Sequence, residues 1–416
     1  MKDFFNVIPE EIRKKAEIKD IGKPLSEIDL DMLSNKIFNN NKVYKNFIGA
    51  GVYDHYIPAA CEYLLSRSEF VTPYTPYQAE VSQGILQALF EYQSVVCELT
   101  GLAVSNASLY DGGSALSEAI LLLFRKYYPN NRIIIKKEIN PFFLNVARTY
   151  TQSRQIEWII VESDDELSNE SLKDDTLCII VQQPDFLGRV CDLDILLKIQ
   201  NEKNDIKIIY IFEPLSSVIL KKPSDYGADI AICEGLGCGI PLSYGGPGLG
   251  IFACKIDYLR ELPGRLVGLT KDANDNRAFT LTLQTREQHI KREKATSNIC
   301  TNQALNAIGF LMYITYLGKT GLKELAVTNF KRAHYLYGLL KTINKIKLYH
   351  DKFFNEFVIT FDCKRDLDKV ITKMKNEGIS PGFMLDGYKD SLLVAVTEKI
   401  TEEDCRKYHR ILKETL

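Results

Sequence analysis

From Arg132 onward the chain alternates short runs rich in Ile and Val with longer stretches whose apolar residues recur every three or four positions. The runs are "RIIIKKEI" (Arg132–Ile139), "IEWIIVE" (Ile156–Glu162), "LCIIVQQP" (Leu177–Pro184), "IKIIYIFEP" (Ile206–Pro214), "DIAICEG" (Asp229–Gly235) and "GIFACK" (Gly250–Lys255). Helical patterns such as "PFFLNVARTYTQSR" and "CDLDILLKIQNEKN" lie between them. Continuous apolar strands separated by helices predict a mostly parallel sheet buried on both faces, an α/β doubly wound layer structure. In such sheets ligands bind beyond the carboxyl ends of the strands.

Residues 321–416 carry a different texture. The helical "LKELAVTNFKRAHYLYGLLKTI" leads to a strand "EFVITFD", a charged helix "RDLDKVITKMKNEG", a strand "SLLVAVTE" and a closing helix "TEEDCRKYHRILKETL", with Thr401 and Asp404 placed as an N-cap pair. The expected organisation is an N-terminal arm and helical segment over 1–66, a large α/β domain over 67–320 and a smaller α+β domain over 321–416.

Composition narrows the function classes. A net charge of -2 gives no argument for nucleic acid or an anionic membrane. No apolar run approaches the roughly 18 residues of a membrane span, and the start lacks a signal-peptide core. The ten cysteines show no C-x-x-C spacing and read as reduced cytoplasmic thiols. His55, His289, His334, His350 and His409 are too scattered to suggest a metal site.

Candidate chemistry gathers at loops. At "SLYDGGSALSEAILLLF" a helix opens on Gly112, Gly113 and Ser114, whose free N–H groups suit a phosphate; a plain loop with Ser114 as N-cap is the alternative. Glu213 ends a strand where a carboxylate could partner a pyridinium nitrogen, although a surface-loop Glu is the plainer expectation. The segment "ADIAICEGLGCGIPLSYGGPGLGIFACK" holds seven glycines between two strands, a setting suited to a Schiff-base lysine, yet no lysine lies between Asp229 and Cys254. Two further clusters mix aromatic and hydrogen-bonding groups in the manner of an interface. One is Tyr74, Thr75, Tyr77 and Gln78 at a helix start; the other is Lys294 with the polar turn Thr296, Ser297 and Asn298.

The motifs "NFIGAGVYDHYIPA", "YTPYQAEVSQGILQALFEYQ", "SNASLYDGGSALSEA", "GRLVGLT" and "REQHIKREKATSNICTNQAL" together resemble subunit 1 of glycine dehydrogenase (decarboxylating), the α chain of the split P-protein of the glycine cleavage system. The resemblance implies a fold-type-I pyridoxal-phosphate architecture. It implies decarboxylation of glycine on pyridoxal phosphate, with the aminomethyl group passed to the lipoyl arm of the H-protein. It also implies that the cofactor is bound covalently by subunit 2, in an α2β2 assembly, and that this chain has no catalytic residue of its own. By loop counting the lysine position holds Leu236. Gly112, Gly113, Ser114, Glu213 and Leu236 then mark a vestigial cofactor site, and the clusters at 74–78 and 294–298 reach the partner's pocket. Two other readings stay open: a stand-alone enzyme using Lys291 or Lys294, and a non-enzymatic protein that stabilises a partner.

Overall fold

The structure, a computed structural model, describes residues 2–17, 22–71, 74–203 and 205–416. Residues 1–44 and 45–416 form two compact units. The first contains helices at Glu10–Lys15 and Glu27–Phe38, neither of which buries a residue; Ser26 caps the second by accepting from the Asp29 N–H at 3.2 Å. Residues 45–66 belong to the second unit because Lys45–Asn46 pairs in parallel with Ile379–Ser380, and Phe47 is fully buried against Tyr408.

The second unit is built on a seven-stranded sheet. Its strands are β1 (Val104–Ser105), β2 (Arg132–Lys136), β3 (Glu157–Val161), β4 (Thr176–Gln183), β5 (Lys207–Phe212), β6 (Ile230–Glu234) and β7 (Gly250–Cys254). Their order is β1-β7-β6-β5-β4-β2-β3. β2 to β6 run parallel, and β7 runs antiparallel to both of its neighbours. All six apolar runs form strands of this sheet, and the glycine loop is the reversal between β6 and β7.

The side-chain alternation of a strand explains why these runs are continuously apolar. Ile134, Ile179, Val181, Ile208 and Ala231 enter one core, which includes helix α1 (Gln83–Thr100). Their neighbours Ile133, Ile135, Ile180, Ile209 and Ile230 enter a second core, with α2 (Gly112–Tyr127) and α3 (Pro141–Thr151). Each fully buried Ile contributes about 1.5–3 kcal/mol, so both faces favour this fold strongly.

A hairpin, β8 (Leu266–Lys271) with β9 (Arg277–Thr282), precedes a long helix, α4 (Ala304–Leu340), broken at Gly318 where φ is 61°. Up to Ala326 this helix packs in the first sheet core; from Ala333 it packs in a third core with α5 (Lys364–Asn376) and α6 (Glu402–Thr415). That core also covers an antiparallel sheet, β10 (Ile346–Leu348), β11 (Glu356–Phe361), β12 (Phe383–Met384) and β13 (Ser391–Ala395), in the order β10-β11-β13-β12. The expected cap of α6 is present, with the Asp404 N–H donating to Thr401 Oγ1 at 3.1 Å and the Thr401 N–H returning to Asp404 at 2.9 Å.

Candidate functional site

The carboxyl ends of β4, β5 and β6 meet the start of α3 and the segment 51–55 around an internal cavity of about 30 Å³. That is room for a water or two. Its walls include Tyr53, His55, Asn140, Phe143, Glu213, Glu234 and Leu236. Glu213 and Leu236 both line this cavity. The expectation that Glu213 is a surface-loop residue does not agree with this placement. Glu213 faces the interior, where burial raises its carboxyl above the ordinary range. Its oxygens turn back to the backbone, accepting from the N–H of Leu215 at 3.1 Å and of Ser216 at 2.5 Å.

Four other polar residues organise the cavity, and none stood out in the sequence. Glu234 accepts from Gly112, Leu236 and Leu249 N–H groups at 3.0, 2.9 and 2.7 Å. Glu356, at the start of β11, accepts from the Ala50 N–H at 2.7 Å and the Tyr53 hydroxyl at 2.9 Å. Burial pushes its carboxyl up to about 7. His55 is 5% exposed and pairs through Nδ1 with Glu398 at 2.9 Å, while its Nε2, at the cavity wall, has no partner among the described residues. Segments 51–55, 213–234 and 356–398 thus converge through side chains that lie far apart in the chain.

The start of α2 is covered as well as bonded. Asp111 caps it by accepting from the Ser114 N–H at 2.7 Å. A Cβ added at Gly112 would fall 2.4 Å from the Phe143 ring, so the ring lies directly on the first turn.

Comparison with known proteins places this geometry. The model of the glycine cleavage system P-protein family matches residues 1–412. The chain belongs to the P-protein family. It is 41% identical over 415 residues to the probable glycine dehydrogenase (decarboxylating) subunit 1 of Carboxydothermus hydrogenoformans, covering 97% of this chain and 92% of that protein. It superposes with a TM-score of 0.91 and 35% identity on an inhibitor-bound glycine decarboxylase (P-protein) of the glycine cleavage system, over 100% of this chain and 95% of that one. A C-DES variant with glycine covalently linked to its pyridoxal phosphate shares the fold at a TM-score of 0.64 and 14% identity, over 91% and 99% of the two chains. The architecture is that of fold-type-I pyridoxal-phosphate enzymes.

The P-protein fold raises the question of whether this chain's residues suit the cofactor, and they do not. Among the described residues no lysine lines the cavity, and Leu236 lines it together with Glu213 and Glu234. The volume is too small for a substituted pyridine ring, Phe143 covers the helix start, and Glu213 is committed to its own backbone. Lys255 and Lys221 are engaged with Asp229 and Asp194, at 2.9 and 2.8 Å.

The two polar clusters lie outside this cavity. α1 begins only at Gln83, so Tyr74, Thr75, Tyr77 and Gln78 form its lead-in rather than its first turn; Thr72 and Pro73 lie outside the described residues. Tyr74 is 81% exposed. The Tyr77 hydroxyl accepts from Arg265 at 3.1 Å, and the same guanidinium donates to Asn302 at 3.1 Å and to Thr301 at 2.9 Å. The basic run before the turn folds as one short helix, Gln288–Lys291, followed by a 3-10 turn that leaves Lys294 exposed. Thr296, Ser297 and Asn298 border a wider pocket of about 490 Å³, with Glu118 and Arg125 of α2 and with Arg154. Glu118 is 1% exposed, with the Ser297 side chain and the Arg125 guanidinium as its polar neighbours. Burial raises its carboxyl and lowers the Arg125 guanidinium. A lone Glu on the apolar face of "SALSEAILLLF" was the available signal for this residue.

Proposed function

We propose that this chain is subunit 1 of a split glycine-decarboxylating P-protein, inactive alone and complementing a subunit 2 that carries pyridoxal phosphate on its lysine. The observation that carries the reading is the combination of a cofactor-enzyme fold with a cavity that lacks both an amine and the space for the ring. Bound in the partner, the cofactor supplies an electron sink for the carbon freed by loss of carbon dioxide. Leu236 stands at the former lysine position. The aminomethyl group passes to the lipoyl arm of an H-protein, and the assembly is a cytoplasmic α2β2 complex; the ten unpaired cysteines suit a reducing compartment.

In this reading Tyr74, Thr75, Tyr77, Gln78, Lys294, Thr296, Ser297 and Asn298 form the edge that borders the partner's pocket. Exposed apolar groups nearby support such an edge: Val71 and Val81 beside the first cluster, Ile290 beside the second, at 50%, 79% and 50% exposure. Scattered single apolar residues need no explanation, but exposed apolar groups next to clustered aromatic and polar side chains fit a covered surface. The test is to purify the chain, a candidate subunit 2 and their mixture, and to measure exchange of the glycine carboxyl with labelled bicarbonate. Exchange should require the mixture. Activity of this chain alone favours the stand-alone enzyme, and no gain on mixing with any subunit 2 favours a non-enzymatic protein.

A further inference from the structure

The first turn of α2 is a ready anion seat, because its backbone N–H groups and dipole face the carboxyl ends of the strands. In this chain a carboxyl group of the protein already lies there; burial raises it above the ordinary range and three backbone N–H bonds pull it back down. Glu234 ends β6. Its Oε2 accepts from the Gly112 N–H at 3.0 Å, and its Oε1 accepts from Leu236 at 2.9 Å and Leu249 at 2.7 Å. One carboxylate therefore joins the helix start to both ends of the glycine loop.

The surrounding packing fits the same role. A Cβ at Gly248 would lie 2.9 Å from Glu234 Oε2 and 3.1 Å from Asp111 Cβ, so this glycine lets the loop close on the carboxylate rather than leave space for a ligand. The Asp111 carboxylate adds a second negative charge at the same helix start. A phosphate entering here would meet two carboxylates in a poorly solvated site, which strongly disfavours it.

We propose that Glu234 is a built-in anion standing where a cofactor phosphate would sit, so that it excludes phosphate-bearing cofactors without regard to the missing lysine and latches the glycine loop to α2. The latch rests on the reading above only for its purpose, which is to keep the empty fold rigid behind the surface that meets a partner. Glu234 is thus a positioning residue, and its effect is separable from general packing because a small anion can replace it.

The experiment uses the full chain, wild type and Glu234→Ala and Glu234→Gln variants, probed with pyridoxal 5′-phosphate and with inorganic phosphate. Wild type should retain no pyridoxal phosphate after equilibrium dialysis, and phosphate should leave its Tm where chloride of equal ionic strength does. Glu234→Ala should melt lower and recover by about 2 °C or more with phosphate but not chloride. Glu234→Gln, which keeps an acceptor and loses the charge, should fall between. Stoichiometric cofactor in wild type, or equal response of the Ala variant to phosphate and chloride, overturns the proposal. Should the Ala variant not fold, hydrogen exchange on wild type decides: the Gly112, Leu236 and Leu249 amides exchange slowly if bonded, and exchange at exposed-loop rates refutes the latch. A chain that passes these tests yet supports no exchange with any subunit 2 defeats the functional reading and leaves the Glu234 assignment intact.

Discussion

Two polar regions of the molecule differ in the space they leave, about 30 Å³ in the internal cavity and about 490 Å³ beside the 296–298 turn. Around the cavity nearly every charged group finds its partner inside the chain: Glu213 and Glu234 on backbone N–H groups, Glu356 on Ala50 and Tyr53. Beside the 296–298 turn, Glu118 is buried at the wall of a wider pocket of about 490 Å³, with the Ser297 side chain and the Arg125 guanidinium beside it. On the function proposed above, the first region is the former cofactor site and the second the surface that meets a partner.

Changes that break this contrast rank by how many bonds they remove. Glu234→Ala takes the acceptor from three N–H groups and should cost roughly 3–5 kcal/mol of stability by denaturant unfolding; a loss below about 1 kcal/mol would show that the loop does not depend on it. Glu356 comes next. Its carboxyl is raised to about 7 from the ordinary 4.5, so the fold prefers it protonated. The stabilising contribution is complete below pH 4.5 and is lost as pH rises through 7, by up to about 3 kcal/mol. Wild type should therefore lose stability across that window relative to Glu356→Gln, and parallel pH curves would contradict it.

Changes at the outer region should spare the fold and act on the complex. Tyr77→Ala and Asn298→Ala should each lower turnover of the reconstituted enzyme about tenfold, near 1.4 kcal/mol, with assembly retained. Unchanged kinetics would remove both from the shared pocket. Glu118→Gln removes a charge that burial disfavours, so it should stabilise the isolated chain by about 1 kcal/mol while weakening association with subunit 2. Destabilisation of the isolated chain would mean that Glu118 is satisfied within it.

The layered fold was legible because it rests on local patterns. Consecutive isoleucines at 133–135 and 208–209 divide between the two faces of one sheet, and Thr401 with Asp404 caps its helix as spacing alone suggests. The glycine loop and its missing lysine were equally local. The cavity was not, since Gly112 and Glu234 are joined across 122 positions and Ala50 and Glu356 across 306. Nothing near Glu234 distinguishes it from a polar strand end. Glu213 was misplaced for a similar reason: an acidic residue before Pro214 resembles a turn until the sheet surrounds it. The pairing of Lys45–Asn46 with Ile379–Ser380 is likewise a long-range contact that no local pattern shows.

The claim that the imine-forming amine belongs to another polypeptide can be read directly. The complex with subunit 2, loaded with pyridoxal phosphate, is reduced with borohydride, digested and analysed by mass spectrometry. The account expects the pyridoxyl group on one lysine of subunit 2 and none on this chain. A stoichiometric pyridoxyl mark on Lys291, Lys294 or any other lysine of this chain would contradict it.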